Sequence, residues 1–364
     1  MINRLLAYLV KHIDRYLMGL VAALLVMGLI TLFSASGESL ERVVSQIINI
    51  CVALSVMWIA ANVPLHYLSR IALPLYVVGL TLLIGVAFAG EVVNGARRWL
   101  DLGFTRIQPS ELMKIAVPLL LAWYFDRYEA ILKMRDFVVG AVLVLVPVLL
   151  IARQPDLGTA LLVSAAGFYV LFLAGLSWKI LLGLGLLGGA SLPFLWSMMH
   201  DYQRQRVLTL LDPEQDPLGA GYHTIQSTIA LGSGGFFGKG WLNGTQAHLD
   251  FLPERTTDFI FAVYAEEFGM IGNLVLMVLF LLVIGRGLVI AANAPTLFTR
   301  LLAGAITLTF FTYAFVNLGM VSGILPVVGV PLPLISYGGT SLVTILFGIG
   351  LLMSIHTHRR LVQT

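Results

Sequence analysis

The stretch YLMGLVAALLVMGLITLF, Tyr16 to Phe33, runs for 18 residues without a charge. As a helix rising 1.5 Å per residue it comes close to the ~30 Å thickness of a bilayer's hydrocarbon core. Arg4, Lys11 and Arg15 precede it and Ser34, Ala35 and Ser36 follow it, so it imitates a secretory signal with its cleavage site. It is longer than the roughly 7 to 15 apolar residues of such a signal, so it reads as a retained membrane helix.

Working outward, runs of about 20 apolar residues recur near 43–63, 67–89, 110–125, 137–152, 157–175, 178–199, 260–284, 300–322 and 338–356, ten spans with the first. The fourth is short and opens on Glu111 and Lys114, and the eighth holds Glu266 and Glu267, so charge interrupts both of these runs. Composition points the same way: 59% of the 364 residues are hydrophobic and 11% charged, less than half the charge of a soluble domain, at about 25%. A soluble enzyme is excluded. A net charge of +3 is too mild to argue for nucleic acid. Cys51 is the single cysteine, so neither an intrachain disulfide nor a cysteine metal site is available. The seven histidines are too dispersed to suggest zinc.

An even number of spans puts both termini on one side. If that side is the cytoplasm, twelve Lys and Arg fall in short inside segments, as the positive-inside rule expects. Nine fall outside and Lys114 lies within a span. Arg97, Arg98 and Arg106 share one short external loop, and adjacent arginines there suit an anionic group such as a phosphate. Arg204, Arg206, Lys239 and Arg255 share a second loop, near 58 residues from His200 to Thr257. Long loops cross membranes with little regard to charge, so these four argue less.

That loop is too long for a connector, and its Gly, Pro and Asp signals favour tight turns and short helices against the membrane domain. Its GSGGFFGKG tract, Gly232 to Gly240, follows no strand and lacks the Gly-Lys-Ser/Thr ending of a phosphate loop. The glycines instead allow close backbone packing on helices or ligand. Where the loop meets the eighth span, Thr256 or Thr257 suits an N-cap, with Asp258 in the first turn. Helix capping is one sufficient job for Asp258. The other is catalytic, since a partly desolvated carboxylate near basic residues is a candidate base. Pro109 suits the first position of the fourth helix, with Glu111 and Lys114 three apart on one face. That pair is either a structural ion pair or the shaper of a polar cavity facing Asp258. Asp156 is equally a cap for the sixth helix or a site residue. Glu266 and Glu267 point to different sides of their helix, and at least one needs an interior partner. Gly323 to Gly339, with Pro326, Pro331 and Pro333, reads as broken backbone buried in protein or lining water.

The motif LPERTTDFIFA, Leu252 to Ala262, resembles the SEDS family (shape, elongation, division and sporulation) of bacterial cell-wall polymerases. Gln108–Lys114, Gln154–Ala160, Asp212–Gln226, Ser233–Gly240 and Gly323–Gly339 resemble further family signatures in order, over most of the chain outside the first two spans. Met320–Pro331 and the tail His356, Thr357, His358 look more like the family's elongation branch than its division branch. The resemblance implies an all-α polytopic membrane domain over 1–364, with about ten transmembrane helices. It implies a large extracytoplasmic loop, 200–258, between helices seven and eight. The expected home is the bacterial cytoplasmic membrane, with both termini cytoplasmic and the site facing outward. The implied activity is polymerisation of lipid II for cell elongation and rod shape, beside a class B penicillin-binding protein. Asp258 is then the essential acid and Glu111 and Lys114 a supporting pair; the candidate substrate-binding residues beside them are Arg97, Arg98, Arg204, Arg206, Gln226 and Lys239.

The implied chemistry suits these residue types. A 4-hydroxyl attacks an anomeric carbon that carries undecaprenyl diphosphate, and a β-linkage from an α-donor needs one inverting displacement. One base suffices, contributing roughly 10² to 10⁴-fold. The diphosphate needs charge neutralisation more than a general acid. Arg97, Arg98, Arg204, Arg206, Lys114 or a divalent cation such as magnesium or manganese can supply it, and the sequence does not choose. A flippase for lipid-linked sugars is the rival reading, with a scaffold that only activates a partner enzyme behind it. Flipping calls for polar residues along a path through the bilayer and for an internal repeat, whereas here the polar residues gather at the external side and no repeat is evident.

Overall fold

The computed structural model describes residues 11–93, 96–101, 106–128, 132–199, 204, 207–209, 212–213, 221–245 and 254–358. Arg206 and the Leu252–Pro253 start of the motif lie outside them. Ten helices match the ten expected spans: α1 (Arg15–Ala35), α2 (Leu40–Asn62), α3 (Leu65–Ala89), α4 (Pro109–Arg127), α5 (Met134–Arg153), α6 (Leu157–Leu173), α7 (Trp178–Met198), α9 (Ile260–Ala292), α10 (Leu297–Val321) and α11 (Thr340–His358). A shorter α8 (Tyr222–Ser233) belongs to the long loop and packs on α9 and α10, as the loop's turn signals suggested.

Seven of these helices are long and apolar enough to cross a bilayer by length and composition alone: α1, α2, α3, α5, α9, α10 and α11. α6 and the apolar part of α7 are shorter. α4 carries Glu111, Lys114, Asp126 and Arg127, and the structure shows why it tolerates them. It touches α3, α5, α6, α10 and α11, and 12 of its 19 residues are buried. Its solvent is protein rather than lipid, so its polar groups can find partners. α10 is the other central helix, in contact with α4, α6, α9 and α11. α7 stands apart: none of its described residues is buried, and Gly183, Gly185, Gly188 and Gly189 face open space.

The all-helical expectation misses one element. Between α3 and α4 a small antiparallel sheet forms from β1 (Glu91–Val93), β2 (Ala96–Asp101) and β3 (Arg106–Ile107), with Glu91 opposite Trp99 and Leu100 opposite Ile107. Arg106 pairs with Glu91 at 3.3 Å across it. This sheet carries Arg97 and Arg98 on β2.

α9 is broken at Gly269, whose φ of 64° and ψ of −160° are not helical. The freed backbone groups are taken up by the glycine-rich tract: Met270 N donates to Gly235 O (3.0 Å), Ile271 N to Phe236 O (3.2 Å), Lys239 N to Glu266 O (3.0 Å) and Gly240 N to Glu267 O (2.9 Å). Backbone released inside a membrane helix must be re-satisfied by protein, and the tract approaches closely enough to do so. A Cβ on Gly269 would lie 2.2 Å from Gly238 N. The expected interior partners of the adjacent glutamates are present as well. Glu266 accepts from Lys239 Nζ (2.6 Å) and Thr245 N (2.9 Å), and Ser34 donates to Glu267.

The start of α1 and the end of α11 meet beside α9. Arg286 and His356 converge on Asp14, which also caps α1, and the His12 and His358 rings stack with centroids 4.7 Å apart.

Candidate active site

Asp258 lies in the turn Glu254–Phe259, just before α9. Helix α9 starts at Ile260 with Phe259 as N-cap and no side-chain cap bond. The expectation that Thr256 or Thr257 caps the helix, with Asp258 in its first turn, is therefore corrected. The turn closes on itself instead: Thr257 N and Phe259 N both donate to Glu254 O, at 3.1 and 3.3 Å. The Thr257 hydroxyl is drawn back to the Glu254 carboxylate at 2.9 Å. The turn is tied to the segment before α11, because Ser336 Oγ donates to Thr257 O (2.6 Å) and Tyr337 N to Thr256 O (2.9 Å). Asn317 of α10 donates to the Asp258 carbonyl at 2.8 Å and to Val330 O at 2.7 Å.

The Gly323–Gly339 segment is irregular, as expected, and is buried in protein through Val330, Leu332, Leu334 and Ile335. Gly329, in the left-handed region at φ 72°, borders the Asp258 carboxylate. A Cβ there would sit 3.3 Å from Oδ2. Among the described residues no side chain donates a hydrogen bond to that carboxylate. Burial, and then the negative charge of Glu254, push Asp258 from the ordinary 3.8 up to about 6. Beside the turn, a cleft of about 470 Å³ is lined by Arg42, Glu254, Arg255, Thr256, Thr257 and Tyr337.

Glu111 and Lys114 do pair, at 2.6 Å, on the inward face of α4. Lys114 Nζ also donates to Tyr313 OH of α10 (2.7 Å), and Thr344 of α11 donates to Glu111 (3.0 Å). The pair therefore fastens three helices. The space beside Lys114 is lined by Pro118, Val283, Phe310 and Leu352 and is apolar, unlike the polar cavity suggested by the sequence. The pair reaches Asp258 through α10: Tyr313 and Asn317 stand four residues apart on one face, about 6 Å along the axis.

With this geometry in view, similarity to known proteins decides the family. A profile of the FtsW/RodA/SpoVE family, described as cell cycle protein, matches residues 15–361. The chain belongs to that family. It is 52% identical over 353 residues to the peptidoglycan glycosyltransferase MrdB of Escherichia coli K12, covering 97% of this chain and 95% of that one. Its structure resembles the rod shape determining protein RodA of Thermus thermophilus, with a TM-score of 0.73 at 33% identity, covering 95% of this chain and 97% of that one. It also resembles a chain of a peptidoglycan synthase complex described as coordinating polymerization and crosslinking, with a TM-score of 0.83 at 37% identity, covering 95% of this chain and 98% of that one.

In this family member the cations expected to bind substrate occupy different environments. Arg97 is exposed on β2 and donates to Ala87 O at 3.3 Å. Arg98 donates to the carbonyls of Gln154 (3.3 Å) and Pro155 (2.6 Å), holding the turn between α5 and α6. In that turn Asp156 caps α6 through Thr159 N (3.1 Å) and accepts from Gln108 (2.8 Å). Arg204 donates to the carbonyls of Trp196 and Ser197 at the end of α7. Lys239 is engaged by the fully buried Glu266 and by Thr245. Gln226 is half-buried on α8, three residues after His223. His223 stacks on Phe259 with centroids 5.6 Å apart.

Sequence reasoning did not place Arg42, Glu254 and Tyr337 at the site. Arg42 could have been found from its position in the first turn of an even-numbered span, next to the external side. Tyr337 had no signal beyond its place in the Pro-Gly segment.

Proposed function

We propose that the chain is a peptidoglycan glycosyltransferase that polymerises lipid II for cell elongation and rod shape, with Asp258 as its general base. One observation carries the reading. In a chain 52% identical to such an enzyme over 97% of its length, a half-buried carboxylate without a hydrogen-bond donor among the described residues stands next to an open cleft. Its pKa of about 6 leaves it ionised at neutral pH yet basic enough to take a proton, close to the optimum for a general base.

The acceptor's 4-hydroxyl gives its proton to Asp258 as its oxygen attacks the donor's anomeric carbon, and the bond to undecaprenyl diphosphate breaks on the opposite face. Cations must steady the departing diphosphate. Arg97 and Arg98 suit this role, since each guanidinium has five N–H groups and, among the described residues, one and two of them are engaged by carbonyls. Arg204, Arg206, Gln226 and Lys239 are proposed as further substrate contacts, with Lys239 acting mainly through its hold on Glu266. Glu111 and Lys114 support the site by fixing α10. A divalent cation such as magnesium or manganese is an alternative neutraliser. Residues 1–364 form one membrane domain with 200–258 as its extracytoplasmic loop. The termini are cytoplasmic, in line with the positive-inside distribution. A class B penicillin-binding protein is the proposed partner, supported by likeness to a chain of a complex that couples polymerization to crosslinking.

The test is full-length protein in detergent supplied with lipid II, with and without that partner, comparing wild type with Asp258→Asn. Glycan strands from wild type alone are expected. Equal polymer from both would remove Asp258 as base, and lipid translocation by the Asn variant with polymer from neither would make the protein a flippase.

A further inference from the structure

The turn that carries Asp258 holds a second carboxylate, and it is held unusually. Glu254 is in the left-handed region at φ 52°, which a non-glycine residue seldom occupies without a compensating role. That conformation aims its carbonyl at both Thr257 N and Phe259 N, so its two acceptor bonds bracket Asp258. Its side chain folds back as well, its Oε2 accepting from the Thr257 hydroxyl at 2.9 Å. Glu254 is exposed and lines the cleft, whereas Asp258 is half-buried behind it. Among the described residues, the other charged or titratable groups around the turn are Arg42 from α2, Arg255 within the turn, His223 from α8 through its stack on Phe259, and Tyr337 ahead of α11.

We propose that Glu254 is a positioning residue for the glycosyl transfer: its backbone brackets Asp258, and its carboxylate, pinned by Thr257, supplies the negative charge that the aspartate faces while it takes the acceptor's proton. The inference rests on Asp258 being the base. Burial already disfavours the charged aspartate, and the charge of Glu254 acts in the same direction. A base strengthened in this way removes a proton more readily at neutral pH. The Thr257 hydroxyl holds that carboxylate against the same short turn.

The measurement is the pH profile of kcat/KM for lipid II polymerisation by the full-length protein with its partner. The comparison is among wild type, Glu254→Gln, Glu254→Gly and Glu254→Asp. Loss of one like charge should move the acid limb of the Gln and Gly variants down by about half a unit, so that near pH 5.5 they retain about twofold more of their plateau rate than wild type does. Glu254→Asp, which keeps the charge, should keep the wild-type limb even if its plateau falls. Glycine accepts the left-handed backbone, so Glu254→Gly carries the test should the Gln variant fail to fold. A Gln or Gly variant with a lowered plateau and an unmoved limb would reduce Glu254 to a structural residue and overturn the proposal. A wild-type profile with no acid limb between pH 5 and 7, or activity surviving in Asp258→Asn, would instead remove the base itself, and this role with it.

Discussion

Burial pushes the Asp258 carboxyl from 3.8 up to about 6, so above that pH the folded protein holds a charge that the unfolded chain would carry at lower free energy in water. The sign follows: the penalty is absent below the unfolded value, grows as pH rises from about 4 to 6 and is constant above. Asp258→Asn should therefore melt higher than wild type at pH 7.5, with the gap narrowing steadily toward pH 4. Thermal unfolding in detergent across that range checks it, and a gap independent of pH would contradict it. The Glu111–Lys114 pair behaves differently because each charge is compensated. Lys114→Met alone should cost about 3 to 5 kcal/mol by leaving a carboxylate without its counter-ion, and adding Glu111→Gln should recover part of it. A double-mutant cycle on unfolding free energies measures the coupling. The pair was legible in the sequence because a spacing of three on a helix is local. Tyr313 and Thr344 were not, since they arrive from 199 and 233 residues away. The capping expectation for Asp258 went wrong for a comparable reason: two threonines and an aspartate before an apolar run look like a helix start. Only a left-handed Glu254, which sequence rules reserve for Gly or Asn, turns those hydroxyls elsewhere.

Among the elements, α9 and the glycine-rich tract depend on each other. Gly269 at φ 64° and Gly238 at φ 80° combine a backbone closed to L side chains with backbone atoms 2.2 and 2.1 Å from any added Cβ. Gly269→Ala or Gly238→Ala should cost about 3 kcal/mol or more, by strain together with overpacking. On α7, Gly183→Ala and Gly188→Ala meet nothing within 4 Å and should each stabilise by about 0.5 to 1 kcal/mol. Melting temperatures of the four variants test the contrast, and a neutral Gly269→Ala would refute the splice. Close backbone packing by this tract was readable from its glycines, but its partner was not. Nothing local to Gly269 distinguishes a helix break from an ordinary membrane glycine. α4 is the reverse case. Hydropathy undervalues it, but its Gln-Pro-Ser-Glu opening marked the start, and Gln108 is the N-cap with Pro109 first in the helix.

For the molecule as a whole, ten helices could be counted in advance because crossing a bilayer calls for apolar runs of roughly 20 residues, which stand out from the charged segments between them. The sheet between α3 and α4 escaped notice because its strands are two to six residues long, too short to show a period. The isolation of α7 escaped notice for a different reason. A helix apolar all round looks the same whether lipid or protein covers it. The meeting of the start of α1 with α9 and the end of α11 was equally hidden, because it depends on residues 272 and 345 positions apart. His12 lies on His358 and bonds Thr357, while Asp14 grips Arg286 and His356. Mechanically, then, His12 and Asp14, Arg286 of α9 and the last turn of α11 form a single clasp. A displacement of the start of α1 or the end of α11 is therefore passed to α9, the same helix that begins beside Asp258.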